Sequence, residues 1–402
     1  MRHLTPEKHP LATLIILTLF AMVGPVSIDI FTPSLPAITE FFGTDNATAQ
    51  WSVGIFMLGF SVSMLMVGPV ADRFGRKNTL MGGYILFLLA TLVILNTDNV
   101  HVFIAARFAQ AVFGCFGTAV ARMLARDYFS DQMEVRMLSQ ISAGLTIAPM
   151  AAPVLGGYIQ EYAGWHYSFI VMAAMGVISM IALTFLPERA IINKDATKGF
   201  FNGFREVLTD TRYMRFTVGA GAAFAGAFVF VAGGSFVFIE QLNLAPTTYG
   251  YFFAMAIAGY LLSASLGPKL TKNMSRSKST LLSGSLLLLG ALICLVSGLV
   301  SDGQSYIGYV VGIVIYEIGM GLFMPLCQAR ATEHMKENIG TASGLIFFIE
   351  MLLATIISSL VGLLPEAGTL SLSTITLVAI GITTFCLLGT DRKTINPSAQ
   401  TA

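Results

Sequence analysis

The stretch LATLIILTLFAMVGPVSIDIFTP, from Leu11 to Pro33, carries one ionisable residue, Asp29, in a run otherwise made of apolar, hydroxyl, glycine and proline residues. A run of this length crosses a bilayer as a helix, because a spanning helix needs about 20 apolar residues while a barrel strand is about half as long and alternates in polarity. It continues too far, and without a small-residue cleavage site, to be a removable signal peptide, so it reads as a first span. A carboxylate at the centre of a span costs about 2.5–3.5 kcal/mol on insertion scales. Asp29 is therefore kept for a reason.

Outward from this run the pattern repeats. Apolar segments of spanning length lie near 11–33, 51–71, 79–96, 102–125, 135–160, 167–187, 215–239, 248–267, 280–300, 306–327, 341–364 and 371–389. Only 11% of the chain is charged and 55% is hydrophobic, against roughly 25% charged in an ordinary soluble domain. The mean hydropathy is +0.75. The fold class is an all-α membrane protein of twelve transmembrane helices. A net charge of +1 says nothing about partners beyond the lipid bilayer, and no nucleic acid is suggested. Cys115, Cys294, Cys327 and Cys386 all fall in apolar runs and read as small buried hydrophobes.

The basic residues orient the chain. With a cytoplasmic N-terminus, all of the 23 Lys and Arg except Arg107 and Arg122 fall in cytoplasmic segments, and none in an outer loop. Both termini are then cytoplasmic. The longest polar interruption divides the chain into a six-helix bundle over 1–187, a linker over 188–214 and a second six-helix bundle over 215–402. Within the linker, Phe200, Phe201, Phe204, Val207 and Leu208 recur at helical spacing and predict an amphipathic helix at the membrane surface. The halves echo each other: Gly68-Pro69 followed by Arg73 and Lys77 recurs as Gly267-Pro268 followed by Lys272 and Arg276. Duplicated halves are a transporter architecture, with a substrate site near mid-membrane.

The charges left inside spans are Asp29, Glu317, Glu350, Arg107 and Arg122. Asp29 lies about 6 Å along the helix from Pro33, and Arg107 about 7 Å from the start of the fourth span. At similar depth, the two can pair and hold each other's charge, either as a fixed strut or as a protonation switch. Arg122 is near a span end and can snorkel to water. Glu317 and Glu350, mid-span, are possible proton or substrate contacts or hydrogen-bonded core residues. The five histidines make no metal-ligand spacing, and no Ser–His pair or phosphate-binding glycine loop is present. That pattern predicts no metal, no cofactor and no enzyme, with an energy source other than ATP.

Two motifs are more specific. Gly68-Pro-Val-Ala-Asp72-Arg73-Phe-Gly75-Arg76-Lys77 stands between spans two and three, and Ala148-Pro149-Met-Ala-Ala-Pro153-Val-Leu-Gly156-Gly157 lies in span five. Prolines free carbonyls and bend a helix while glycines permit close packing, which suits a pivot. The first motif closely resembles the signature loop of the major facilitator superfamily, and the second is similar to the antiporter motif of its drug:proton exporters. Arg107-Phe-Ala-Gln110 is similar to the Arg-x-x-Gln-Gly element, with Ala111 in place of the usual glycine. Asp29-Ile-Phe-Thr-Pro33-Ser-Leu-Pro36, with Arg122 through Asp127, resembles the Bcr/CflA drug-resistance transporters.

The resemblance implies two pseudo-symmetric bundles with the first motif as a cytoplasmic latch, and a proton-coupled antiporter exporting drugs or small amphipathic metabolites by alternating access. Asp29 is implied as the proton-linked carboxylate and Arg107 as its partner. Spans one, four, seven and ten are implied to line the cavity, which makes Phe113, Phe116, Phe224, Phe228, Tyr316, Met320 and Met324 lining candidates. The implied partners are a small-molecule substrate and protons, for a monomer in a bacterial inner membrane. The alternatives are a proton-linked nutrient importer, a siderophore or metabolite exporter and, from another class, a membrane-embedded sensor or enzyme.

Overall fold

The computed structural model describes residues 5–188, 202–335, 339–361 and 368–388. Among them, twelve helices are long and apolar enough to cross a membrane. Spans one to six are Pro10–Phe42, Asn46–Phe74, Arg76–Asn96, Val100–Tyr128, Asp131–Tyr162 and Trp165–Phe185. Spans seven to twelve are Thr211–Gln241, Pro246–Leu270, Arg276–Val300, Tyr306–Thr332, Ile339–Ser359 and Thr369–Leu387. The chain is an integral membrane protein. Polar caps set several starts two to five residues before the apolar run: Asp45 accepts from the Thr48 N–H at 2.8 Å, Asn99 from His101 and Val102, and Ser275 from Lys278.

Three spans are interrupted. Span one is helical over Pro10–Asp29, tightens to a 3₁₀ turn over Thr32–Ser34 and resumes as Leu35–Phe42. It therefore does not end at Pro33, as the proline suggests; the chain stays close to helical through the break and only the hydrogen-bond pattern changes. Span four breaks at Cys115 between Val100–Gly114 and Phe116–Tyr128, and span seven widens to a π-helix over Phe236–Gln241.

Packing divides the chain into two compact units. One holds Met1–Phe201, Val231–Met255 and Val361–Leu363; the other holds Asn202–Phe230, Ala256–Leu360 and Leu364–Ala402. In the first unit span one is central, packed on spans four, five and six. In the second, spans nine and ten lie together and span twelve packs on span nine. Hydroxyls there take carbonyls of span seven: Tyr316 donates to Ala223 O at 2.7 Å, Thr376 to Gly226 O at 3.2 Å and Thr383 to Gly219 O at 3.1 Å.

The predicted linker helix is present over Asn202–Thr209, while Phe200 and Phe201 lie outside the described residues. It packs on span eleven and buries Val207 completely, while Phe204 is half-buried and Leu208 is exposed. The expected ends of spans eleven and twelve, at 364 and 389, also lie outside the described residues.

Candidate functional site

The prolines of span one shape the site. Pro25 has no N–H for the carbonyl four residues back, Ala21 O. Thr118 of span four donates to that carbonyl at 2.9 Å. Pro33 likewise offers nothing to Asp29 O, which accepts from the Thr32 hydroxyl at 2.8 Å. Because regular helix stops at Asp29, Ser27 O also loses its donor from Phe31, and Arg107 Nη2 takes it at 3.1 Å. Each of these three carbonyls is thus served by a side-chain donor.

Asp29 sits at this break, 5% exposed. Among the described residues its carboxylate makes no ion pair or hydrogen bond, while the Tyr249 hydroxyl lies near enough to interact with both Thr32 and Asp29.

Arg107 is fully buried. Its Nη1 donates to Gln110 Oε1 at 2.5 Å, and its guanidinium carbon stands 4.0 Å from the Phe31 ring centre, 4.3 Å from Phe56 and 5.6 Å from Phe169. Cation–π contacts strengthen to about 2 kcal/mol or more when water is excluded, so the rings substitute for a counter-ion. Gln110 in turn donates to Thr91 Oγ1 at 2.7 Å.

The expected Asp29–Arg107 ion pair is absent, for an angular reason. Ser27 and Phe31, four residues apart, share one face of span one and receive the guanidinium, whereas Asp29 lies two residues on, about 200° round the helix. Depth brought the two residues level; rotation separates them.

The glycines of the span-five motif make close contacts. A β-carbon at Gly156 would stand 1.9 Å from Ile30 O, one residue past Asp29. One at Gly157 would stand 2.6 Å from Pro246 O, and one at Gly250 would stand 2.6 Å from Pro153 O. Spans five and eight thus touch backbone to backbone at the start of span eight, and span five touches span one beside the carboxylate. Tyr158 and Tyr251 hydroxyls meet across the same contact at 2.8 Å. Pro149 is half-buried in the preceding turn.

In the second unit, Glu317 is 8% exposed with no polar partner among the described residues, and Glu350 is 2% exposed and accepts from Gln328 at 3.1 Å. Tyr260 is in electrostatic range of both. Met320 and Met324 are buried, Tyr316 is committed to the Ala223 carbonyl, and Phe224 stacks on Phe228 at 6.0 Å. In the first unit Phe113 and Phe116 meet edge to face at 6.0 Å, and Phe116 packs on Gly83 of span three. Arg122 is half-buried, its Nε without a hydrogen-bond partner.

At the basic end of the first unit, Gly75 takes φ +83°, a left-handed conformation that glycine adopts without strain and that turns span two into span three. Arg76 then reaches Asp127 at 2.6 Å and Asp72 at 3.9 Å, and Lys77 donates to Leu186 O at 2.9 Å. Arg73 lies over the Phe74 ring. Gly68 was expected to permit close helix approach, but a β-carbon there would meet nothing within 4 Å. The second unit repeats the scheme: Arg276, first residue of span nine, pairs with Glu333 just past span ten, which also holds Arg212. Glu333 is held below the usual carboxylate range, first by the Arg276 hydrogen bond and also by the charges of Arg276 and Arg212.

Sequence reasoning missed Phe31, Phe56 and Phe169 around Arg107, and also Thr91 and Thr118. A hydroxyl residue in an apolar run carries no signal of which carbonyl or amide it serves.

The sequence profile of the Major Facilitator Superfamily matches residues 16–359. A bicyclomycin resistance protein homolog of Haemophilus influenzae is 24% identical, over 88% of this chain and 90% of the relative. Multidrug resistance protein D of Escherichia coli is 24% identical, over 88% and 89%. The crystal structure of a D-xylose–proton symporter has a TM-score of 0.72 at 12% identity, covering 93% of this chain and 97% of that one, and shares the fold. Twelve spans, two units that each carry an arginine–acid clamp at the start of the third helix, and a profile match over most of the chain make one assignment: the chain belongs to the Major Facilitator Superfamily, a family of membrane transporters.

Proposed function

We propose that the protein is a proton-coupled antiporter that exports drugs or small amphipathic metabolites by alternating access. In this reading it is a monomer in a bacterial inner membrane, with the basic ends and both termini in the cytoplasm and the proton gradient as its only energy source. The observation that carries the reading is Asp29: a buried carboxylate without an ionic partner, at a break in span one, beside the glycine contact of the antiporter motif. The resistance proteins among its relatives support drugs as substrates.

Exchange requires that proton and substrate each weaken the other's binding, a coupling that is reciprocal by linkage. The ionised Asp29 carboxylate takes up a proton from the outer side and becomes neutral, and substrate entering from the inner side displaces that proton. Arg107 of span four, held against a different face of span one from Asp29, sets the local potential, and its guanidinium moves toward the carboxylate once that ionises. The bundles over 1–187 and 215–402 rock about the span-five motif, with Pro149 and Pro153 supplying the bend and Gly156 and Gly157 the close contact. Arg76 and Arg276 latch the cytoplasmic side. Glu317 and Glu350 are the further proton or substrate contacts, and Phe113, Phe224 and Met324 are among the residues lining the path.

The test is proton release from detergent-purified protein on adding chloramphenicol or tetraphenylphosphonium, with wild type and Asp29→Asn. Release by wild type, and binding without release by the variant, is expected. Equal release by both assigns coupling to Glu317 or Glu350 and leaves Asp29 a structural residue.

A further inference from the structure

The hydrogen-bond chain behind Arg107 has a fixed polarity. Thr91 on span three is completely buried, and its single hydroxyl proton goes to Phe87 O at 2.8 Å. Its oxygen therefore acts only as an acceptor toward Gln110 Nε2, at 2.7 Å. The amide nitrogen of Gln110 is held on that side, so Oε1 faces Arg107 Nη1. The two ends of an amide are nearly the same shape, and neighbouring donors and acceptors decide which way it points. Among the described residues the only other acceptor bonded by the Gln110 nitrogen is Met172 Sδ at 3.8 Å, a weak one.

We propose that Thr91 is a positioning residue: through the Gln110 amide it tethers the Arg107 guanidinium to the Ser27–Phe31 face of span one, away from Asp29. The tether decides how much of its time the cation spends near the carboxylate. Three elements share the work, since Thr91 is on span three, Gln110 and Arg107 on span four and the two competing acceptors, Ser27 O and Asp29, on span one. The titratable groups facing this cluster are Cys115 on span four, Asp29 at the break and Tyr249 at the start of span eight. Spans two and six contribute the Phe56 and Phe169 rings, and span five the Gly156 contact with Ile30. With the tether cut, Arg107 swings toward Asp29, and an approaching cation favours the ionised carboxylate. The consequence for coupling rests on Asp29 being the proton carrier; the tether itself does not.

Two measurements separate these. The first is a thermal-stability cycle on ligand-free protein with Thr91→Val, Arg107→Met and the double variant. A coupling between sites that share no direct contact is expected, because removing Arg107 abolishes what Thr91 holds. Additive shifts in melting temperature overturn the proposal, and Thr91→Ala replaces Thr91→Val if the branched side chain impairs folding. The second is the pH profile of chloramphenicol-driven proton release. Thr91→Val should lower the pH at which release is half lost by about half a unit or more, and Thr91→Ser, which keeps the hydroxyl, should restore the wild-type profile. An unchanged Thr91→Val profile, or one that Thr91→Ser shares, overturns the positioning role in coupling. A cycle that couples while Asp29→Asn leaves release intact sinks the Asp29 reading alone.

Discussion

Replacing Gly156 by alanine tests whether span one and span five must touch for the carboxylate to be held in place. The added β-carbon would stand 1.9 Å from Ile30 O and 2.8 Å from Ile30 C, against 3.4 Å for ordinary contact. Both groups are backbone, so no rotamer change absorbs the clash, and the helices must part by about 1.5 Å. Overpacking of this kind costs about 1–3 kcal/mol. Alanine also gains up to about 1 kcal/mol over glycine in a helix interior, which masks part of the loss. Gly82→Ala in span three is the matched control, because a β-carbon there meets nothing within 4 Å. The difference in stability between the two variants isolates the steric part and should be about 1–3 kcal/mol. It is read from melting of the purified proteins in one detergent. Transport in vesicles should fall about tenfold or more for Gly156→Ala, since Ile30 carries Asp29 with it, and stay unchanged for Gly82→Ala. Equal melting and equal transport for the two variants would show that the contact with Ile30 constrains nothing.

Arg107→Lys should lose transport despite keeping the charge: an ammonium cannot bond Gln110 Oε1 and Ser27 O while lying flat between Phe31 and Phe56, and drug-efflux assays in cells read the loss. Asp45→Ala removes the cap of span two and should destabilise the protein by about 1 kcal/mol, measured by thermal melting. The Asp45 carboxyl is held below its ordinary range by the Thr48 N–H, so this contribution is full above the ordinary carboxylate pKa and disappears as pH falls through the lowered one. Glu333 obeys the same sign. Its clamp on Arg276 and Arg212 holds at neutral pH and opens on strong acidification, so Glu333→Gln should flatten the acid limb of the stability profile and leave the neutral region only slightly changed.

The twelve spans were legible because apolar length and the avoidance of charge are properties of the chain read in one dimension. The course of span one past Pro33 was not. A proline reads as a stop, and only the Thr32 hydroxyl and the 3₁₀ turn show how the helix continues. The site was legible in part for the same reason. Rise per residue put Asp29 and Arg107 at one depth, but which face each occupies depends on how spans one and four cross, and that is fixed by contacts such as Gly117 against Phe20 O. Gly68 was read as a contact from its motif, although a β-carbon there would meet no neighbour within 4 Å. Gly156 and Gly157, read from a motif in the same way, do make close contacts. Composition identifies a glycine that could allow approach, and only packing says whether a neighbour uses it.

Thr118 lies 97 residues beyond Ala21, whose carbonyl it fills. At ribosomal rates of about 5–20 residues per second, the hydroxyl is synthesised roughly 5–20 s after its acceptor. Through that interval the nascent first helix sits in the bilayer with a polar group that nothing in its own sequence satisfies, at a cost of several kcal/mol if it faces lipid. Pro25 therefore makes the earliest helix of the chain dependent on one of the later ones, and a polypeptide arrested before span four should hold its first helix less firmly in the membrane than one arrested after it.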